Sequence, residues 1–191
     1  MAVKVKRLLT PEDIEHMMKC GQLSEDDFFE LVNGEIVWLA PSFDPQAWTG
    51  SLMIAALTPF AKGLGGRVLD SSAGFRVGAD LKQLRGPDVS LVTKERLHIL
   101  RGNAFAMGAP DLAVEVLSTG QYGEAYAVSK RSEYFAAGAK VIWFADLRTR
   151  TVREYLPGSD EVRIFHAEDE ITLDAIAPGF RCRVGEFFPE D

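Results

Sequence analysis

The segment Pro110–Ser118 reads PDLAVEVLS and is the stretch that says most about the fold of this chain. It is a short, almost wholly apolar run, which is typical of a buried β-strand. A helical pattern follows over Glu124–Ala137, Gly138 ends it, and a second apolar run, VIWFA, covers Val141–Ala145. Apolar strand, helix and apolar strand in this order predict a βαβ unit within a partly parallel, buried sheet.

The N-terminal part of the chain predicts two helices and a hairpin. Thr10–Asp13 reads TPED, which supplies a capping residue, a proline and two acids in the order of a helix start, and Gly21 ends that helix. Asn33-Gly34 lies between the apolar runs FFELV and EIVWL, a strong signal for a two-residue β-hairpin. Helical spacing over Pro45–Leu64 predicts a second helix, which Pro59 is expected to kink or end.

Further short strands are expected around the βαβ unit, each bounded by Gly, Pro or polar residues. They are Arg67–Leu69, Phe75–Val77, Asp88–Val92, Thr151–Tyr155, Val162–Phe165 and Ile171–Leu173. The whole pattern predicts an α/β fold with a central mixed β-sheet flanked by helices, plus the N-terminal helix and hairpin. Nothing in the sequence marks an internal boundary, so a single domain over residues 1–191 is expected.

Composition excludes several classes of protein. The hydrophobic fraction of 47% and the charged fraction of 26% are ordinary for a globular chain, and no run approaches the roughly 20 apolar residues of a membrane span. We therefore expect a cytoplasmic protein. Cys20 and Cys182 stand far apart and the three histidines are scattered, so neither a zinc site nor a redox motif is indicated. The net charge of −7 argues against a chain that coats nucleic acid, but it is compatible with a locally basic cleft.

One carboxylate, Glu115, interrupts the apolar strand. An unpaired charge in apolar surroundings is very unfavourable, so a buried Glu115 requires a compensating partner. A second apolar run, PDVSLV at Pro87–Val92, carries another acid near its start, Asp88. Two acids on neighbouring strands can share a hard cation through their oxygen atoms, and Mg²⁺ is the natural candidate.

A lysine on the following helix completes the candidate site. Residues at helical spacing form one stripe that consists of Tyr126, Ala127, Lys130, Tyr134 and Ala137. Lys130 is thus expected to point inward, where its ammonium group could reach Glu115 and stabilise negative charge on a phosphate.

Taken singly, each of the three residues has a commoner structural explanation. Asp88 could cap a turn, Glu115 could lie on an edge strand in water, and Lys130 could extend its ammonium to solvent. Their joint appearance on strand, strand and helix favours a functional site.

These residues and their order resemble the Uma2 family, also known as DUF820, a bacterial branch of the PD-(D/E)XK restriction-endonuclease-like superfamily. The resemblance spans nearly the whole chain. It rests on the segments LTPEDIEHM, FFELVNGEIV, GPDVSLV, PDLAVEVLS, the K-x-x-x-Y-x-x-x-G pattern at Lys130, Tyr134 and Gly138, and VIWFAD at Val141–Asp146.

The resemblance implies roles for particular residues. Asp88 and Glu115 would be metal ligands, with the backbone carbonyl of Val116 as a third ligand. Glu30 would be the acid from the N-terminal region, and Lys130 would complete the catalytic set. The implied cofactor is Mg²⁺, with Mn²⁺ as a substitute.

Two positions depart from the family pattern. The superfamily motif places a lysine two residues after the glutamate, where this chain has Leu117, so Lys130 on the next helix is expected to take its role. The family usually has an aspartate four residues before that lysine, where this chain has Tyr126. Either Glu124 replaces that acid or the site is weakened.

The implied activity is that of a Mg²⁺-dependent endonuclease that hydrolyses DNA phosphodiester bonds. In this mechanism the ion polarises the phosphate and generates hydroxide, while Lys130 neutralises the transition state. A two-fold homodimer is expected, since double-strand cleavage needs two sites. The alternative is a non-catalytic nucleic-acid or protein interaction module that keeps the nuclease-like fold, which the net charge and Tyr126 favour. Metal binding through Asp88 and Glu115 distinguishes the two.

Overall fold

The protein is represented by a computed structural model, which describes residues 7–24, 26–40, 44–102, 104–117 and 124–190, except for the side chains of residues 124 and 125. Within these ranges lie three α-helices: α1 (Pro11–Lys19), α2 (Asp44–Gly63) and α3 (Glu124–Ala136). Two short 3₁₀ helices cover Lys94–Leu100 and Val184–Phe187. No helix in the described part of the chain is long and apolar enough to cross a membrane.

The strands form two large sheets and one small one. The five-stranded sheet has the order β2-β1-β5-β4-β7 and consists of β1 (Phe29–Val32), β2 (Glu35–Trp38), β4 (Phe75–Val77), β5 (Gln83–Arg85) and β7 (Ala106–Met107). The six-stranded sheet has the order β11-β10-β9-β8-β6-β3 and consists of β3 (Arg67–Asp70), β6 (Val89–Val92), β8 (Leu112–Leu117), β9 (Val141–Asp146), β10 (Thr151–Tyr155) and β11 (Arg163–Phe165). A separate pair is formed by β12 (Glu170–Thr172) and β13 (Arg181–Arg183).

The six-stranded sheet is mixed, as the sequence predicts. Strands β8 and β9 run parallel, with Glu115 opposite Phe144, and α3 makes the connection between them. The other pairs of this sheet are antiparallel. The predicted βαβ unit is thus confirmed, and it lies at the centre of the sheet.

The hairpin and the first helix form as their local sequence predicts. Asn33 and Gly34 have positive φ angles of 50° and 75°, which a tight two-residue hairpin turn requires. At α1, the Thr10 side chain accepts a hydrogen bond from the Asp13 N–H, and the Asp13 carboxylate accepts one from the Thr10 N–H. This reciprocal capping box fixes the start of the helix.

Alternate strand residues pack into separate cores on the two faces of each sheet. Val114 and Val116 of β8 join a core with α2 and the C-terminal segment, whereas Ala113 joins Phe75 and Tyr134 in a second core. A third core lies between α1 and the far face of the five-stranded sheet. Polar residues on the inner faces of both sheets, beside α3, therefore meet in one place.

The structure differs from the sequence prediction at α2 and at three short strands. Helix α2 continues through Pro59 to Gly63. Strands β5, β7 and β13 were not predicted. The predicted hairpin is present, and it joins the five-stranded sheet because β1 pairs with β5 in addition to β2.

Candidate active site

The acids Asp88 and Glu115 are cross-strand neighbours on one face of the six-stranded sheet. In the antiparallel pair of β6 and β8, Val89 lies opposite Val114, so the register places Asp88 opposite Glu115. The Val116 N–H donates to Asp88 Oδ2 at 2.7 Å. Asp88, which directly precedes β6, is thus hydrogen-bonded to the backbone of β8. Residues directly opposite one another in such a pair have Cβ atoms about 5 Å apart on the same face.

The five-stranded sheet supplies a third acid and a cation from the other side. Leu31 pairs with Leu84, so Glu30 and Arg85 are cross-strand neighbours on the opposite face from these leucines. Both are fully buried, and Arg85 Nη1 donates to Glu30 Oε2 at 2.6 Å. Since Leu31 and Leu84 face α1, Glu30 and Arg85 face the inner core.

Helix α3 joins the two sheets through Lys130. The Lys130 Nζ atom donates to Glu115 Oε2 at 2.7 Å and forms an ion pair with Glu30 Oε1 at 3.0 Å. One turn later, the Tyr134 hydroxyl donates to the other oxygen of Glu115, Oε1, at 2.7 Å. Both oxygens of Glu115 thus accept a hydrogen bond from α3. Lys130 is only 3% exposed and points inward, as its stripe predicts.

Two more side chains of α3 complete this cluster. Glu133 accepts two hydrogen bonds from Arg85, from Nε at 2.7 Å and from Nη2 at 3.0 Å. The Tyr126 hydroxyl donates to Glu30 Oε2 at 2.9 Å, and its ring lies 5.5 Å from the Arg85 guanidinium and 5.3 Å from Lys130 Nζ. Tyr126 therefore contacts the acid of the hairpin and both cations of the cluster.

Gln46, in the first turn of α2, reaches the open side of the site. Its Nε2 atom donates to the Val116 carbonyl at 3.0 Å, and its side chain also hydrogen-bonds to Asp88. Gln46 and Asp88 line a cavity of about 220 Å³ together with Ser51 and Ser71. Asp88 therefore lies on the side of the cluster that reaches the cavity. Glu115 does not line it and is buried, with 4% of its surface exposed.

Burial and charge shift the pKa values of the cluster in opposite directions on its two sides. Burial raises the pKa of Glu115 to about 7, although the Lys130 ammonium acts against it. Burial also raises the pKa of Asp88, which the hydrogen bond from Val116 only partly offsets. For Glu30, burial is outweighed by Lys130 and Arg85, so its pKa is lowered. For Lys130, the nearby carboxylates outweigh burial and raise its pKa, so it stays charged.

The charge balance of the cluster fits a divalent cation. Among the residues that the structure describes, the cluster holds four carboxylates, those of Glu30, Asp88, Glu115 and Glu133, against the two cations Arg85 and Lys130. The surplus lies on the Asp88 and Glu115 side, where both pKa values are raised. No group of three His, Cys, Asp or Glu side chains surrounds a common point in the described chain. Mg²⁺ does not require one, because it is commonly held by one or two carboxylates and keeps several waters. Asp88, Glu115 and the Val116 carbonyl therefore suit it.

The structure places the sequence-predicted residues together. Asp88, Glu115, Val116, Lys130 and Glu30 all lie in this cluster, while their chemical roles remain predictions. The side chain of Glu124, the suggested replacement for the acid at position 126, lies outside the described residues.

Two residues of the cluster are not identified from the sequence. Arg85 and Gln46 were not singled out; Arg85 could have been found as a lone charge beside Leu84 just before the PDVSLV segment. Glu35 lies on the same face of the hairpin as Glu30, because Val32, two residues after Glu30, pairs with Glu35. Glu35 lies there at the exposed end of the hairpin, away from the buried cluster.

Comparison with known proteins identifies a family and similar solved structures. The model of the Uma2 family, described as "Putative restriction endonuclease", matches residues 11–185. The fold is similar to a crystal structure from Anabaena variabilis, described as "a putative nuclease belonging to DUF820", with a TM-score of 0.77 and 18% sequence identity. That alignment covers 94% of this chain and 97% of the other, so it supports the restriction-endonuclease-like fold. No curated protein matches the chain.

Proposed function

The chain belongs to the Uma2 family, and we propose that it is a Mg²⁺-dependent endonuclease that hydrolyses phosphodiester bonds in DNA. The observation that carries this proposal is the position of Asp88, directly before β6 and opposite Glu115 of β8 by the strand register, with the Lys130 ammonium 2.7 Å from Glu115. Two neighbouring carboxylates can hold a hard cation, and a charged lysine beside them can stabilise negative charge on a phosphate.

Each residue of the cluster has a defined task in this proposal. Asp88, Glu115 and the Val116 carbonyl would hold the ion, which when bound would polarise the scissile phosphate and lower the pKa of an attacking water. Lys130 is the hydrogen-bond donor and positive charge for the phosphate oxygens as negative charge develops. Glu30 holds the Lys130 ammonium from the opposite side, because its Oε1 atom forms an ion pair with the same nitrogen at 3.0 Å.

Arg85 and Tyr126 act on this machinery through Glu30. Arg85 binds Glu30 and Glu133 at once, so it keeps Glu30 ionised and oriented toward Lys130. Tyr126 donates to the same carboxylate at 2.9 Å. The tyrosine at this position, where the family usually has an acid, therefore supports the lysine by a hydrogen bond in place of a charge.

The substrate is expected to approach from the side of Asp88, where the cavity lined by Gln46 and Ser71 lies. Cytoplasmic location and a two-fold dimer belong to the same proposal. Free thiols at Cys20 and Cys182 are typical of a reducing compartment, and cleavage of both DNA strands needs two sites. Sedimentation that shows only monomer at high concentration would contradict the dimer.

A cleavage assay tests the proposed activity. Single-stranded, double-stranded and branched DNA are incubated with and without Mg²⁺, with the wild type, Asp88→Asn and the control Asp70→Asn. Asp70 lines the same cavity but makes a local turn, with its carboxylate bound to Ser72. We expect Mg²⁺-dependent cleavage by the wild type and Asp70→Asn and none by Asp88→Asn. DNA binding without cleavage in every metal condition would instead support the interaction module.

A further inference from the structure

A cavity of about 420 Å³ lies beside the candidate active site, at one end of the five-stranded sheet. Its lining includes the three aromatic residues Phe28, Phe29 and Phe105, and it shares Arg85 with the carboxylate cluster. Ser71 lines both this cavity and the smaller one that reaches Asp88. The two cavities are therefore neighbours on either side of Ser71, so a polymeric ligand such as a nucleic-acid strand can contact both.

Two exposed apolar side chains of the hairpin border the cavity on the face of the active site. Phe28 precedes Glu30 by two residues, and the Leu39 N–H donates to the Phe28 carbonyl at 3.0 Å. The hairpin register thus puts Phe28 and Leu39 on the same face as Glu30. Phe28 is 55% exposed and Leu39 is 36% exposed, so a flat apolar ligand would cover surface that now faces water.

The opposite wall of the cavity is set by a close contact between Gly74 and Phe105. A Cβ atom on Gly74 would lie 2.6 Å from Phe105 Cδ1, which is closer than such atoms approach. Glycine at this position therefore permits the Phe105 ring to stand where it lines the cavity. The cavity thus has a ring on each side, those of Phe28 and Phe105.

The charges around the cavity favour a base over a phosphate. Asp26 and Asp27 lie in its lining, and Arg85 is already bound by Glu30 and Glu133. Carboxylates repel phosphate but accept hydrogen bonds from N–H groups, which adenine, cytosine and guanine present on their amino groups. The volume falls within the range of small-ligand sites.

We propose that this cavity binds an unpaired nucleobase of the nucleic acid whose backbone is cut at Asp88 and Glu115. The proposal rests on the proposed nuclease function. A base inside a duplex cannot enter such a cavity without leaving its stack. The substrate is therefore a nucleic acid with a single-stranded stretch, and the base stacks on Phe28 beside the scissile position.

The test is binding in EDTA, so that cleavage does not interfere. Fluorescence anisotropy compares a short single-stranded DNA with an otherwise identical abasic strand, for the wild type, Phe28→Ala and Ile164→Ala. Ile164 is the matched control: it is an apolar side chain, 54% exposed, on β11 of the six-stranded sheet, and it lines neither of the two cavities. Both variants alter exposed side chains, and circular dichroism checks that they fold.

We expect the wild type to prefer the strand with bases by about tenfold or more, the effect of one stacked base. Phe28→Ala should remove most of this preference, while Ile164→Ala should retain it. Equal binding of the two strands by the wild type, no binding of either, or equal effects of the two variants would overturn the proposal. Cleavage of the same strands in Mg²⁺ is measured separately. A protein that cuts without preferring bases refutes the base site alone, and one that prefers bases without cutting refutes the nuclease alone.

Discussion

Replacement of Glu115 by glutamine should abolish cleavage and, without metal, stabilise the fold. Both oxygens of Glu115 accept hydrogen bonds, one from Lys130 and one from Tyr134. In the variant the amide oxygen can face Lys130, and the amide NH₂ can donate to the Tyr134 hydroxyl, which is able to accept as well as donate. The change therefore leaves no cavity and no unpaired donor, but it removes the charge that would hold a cation.

The expected gain in stability follows from the raised pKa of Glu115. Its rise from the ordinary 4.5 to about 7 corresponds to about 3 kcal/mol, at about 1.4 kcal/mol per pKa unit. The folded protein keeps this proton to a higher pH than the unfolded chain does. Ionisation of Glu115 thus lowers the free energy of unfolding as pH rises from about 4.5 to about 7, and the full loss is present above that window.

Glutamine has no proton to lose, so the difference between the two proteins should depend on pH. In EDTA, the variant and the wild type should have similar free energies of unfolding near pH 4. Near pH 8 the variant should be more stable by about 3 kcal/mol. Urea denaturation at both pH values measures this, and Mg²⁺-dependent cleavage is assayed on the same preparations.

Glu154→Gln is the control for cleavage, because Glu154 is also buried but binds Trp143 at 3.1 Å, outside the cluster. It should cut DNA as the wild type does. A Glu115→Gln variant that cuts as well as the wild type, or one that is unfolded, would refute the assignment. A stability difference that does not grow between the two pH values would refute the charge argument.

Three further substitutions test neighbouring contacts. Lys130→Met leaves the Glu30 and Glu115 carboxylates buried without the ammonium between them. Urea denaturation should show a loss of about 3–5 kcal/mol in the free energy of unfolding near pH 8, and a smaller loss near pH 5, where Glu115 takes up a proton. Equal losses at the two pH values would contradict this. Tyr126→Phe removes one hydrogen bond to Glu30 and should cost about 1 kcal/mol, with cleavage retained within a few-fold; loss of all cleavage would give Tyr126 a direct catalytic role. Thr10→Ala breaks the capping box of α1 and should lower the free energy of unfolding by about 1 kcal/mol. Thermal denaturation should show this as a lower midpoint, and the cleavage rate should not change.

The sequence predicted the elements that depend on interactions between residues close together in the chain. The Asn33-Gly34 turn, the Thr10 cap and the apolar strand around Glu115 are each confirmed, because turn chemistry, capping and burial act within a few residues. Pro59 shows the limit of such rules. Packing of α2 residues such as Met53 and Leu57 against the six-stranded sheet carries the helix past the proline.

The assembly of the five-stranded sheet was beyond local inference, although its hairpin and β4 were predicted. Its strands β5 and β7 have three and two residues, too short for a periodic pattern, and they are defined by pairing with distant partners. For this reason Arg85 was missed, although it is one of the two cations that bind Glu30. The position of Lys130 was predictable from its helical stripe, whereas its link to Glu30 depends on how the two sheets meet.

The most direct test of the central claim is metal binding at Asp88 and Glu115. Isothermal titration of Mn²⁺ into the wild type, Asp88→Asn, Glu115→Gln and the control Asp70→Asn measures it without any assumption about substrate. We expect one saturable site per chain in the wild type and in Asp70→Asn, and loss of that site in the other two variants. A wild type that binds no divalent cation, or an Asp88→Asn variant that binds it equally well, would contradict the assignment of this cluster as the metal site.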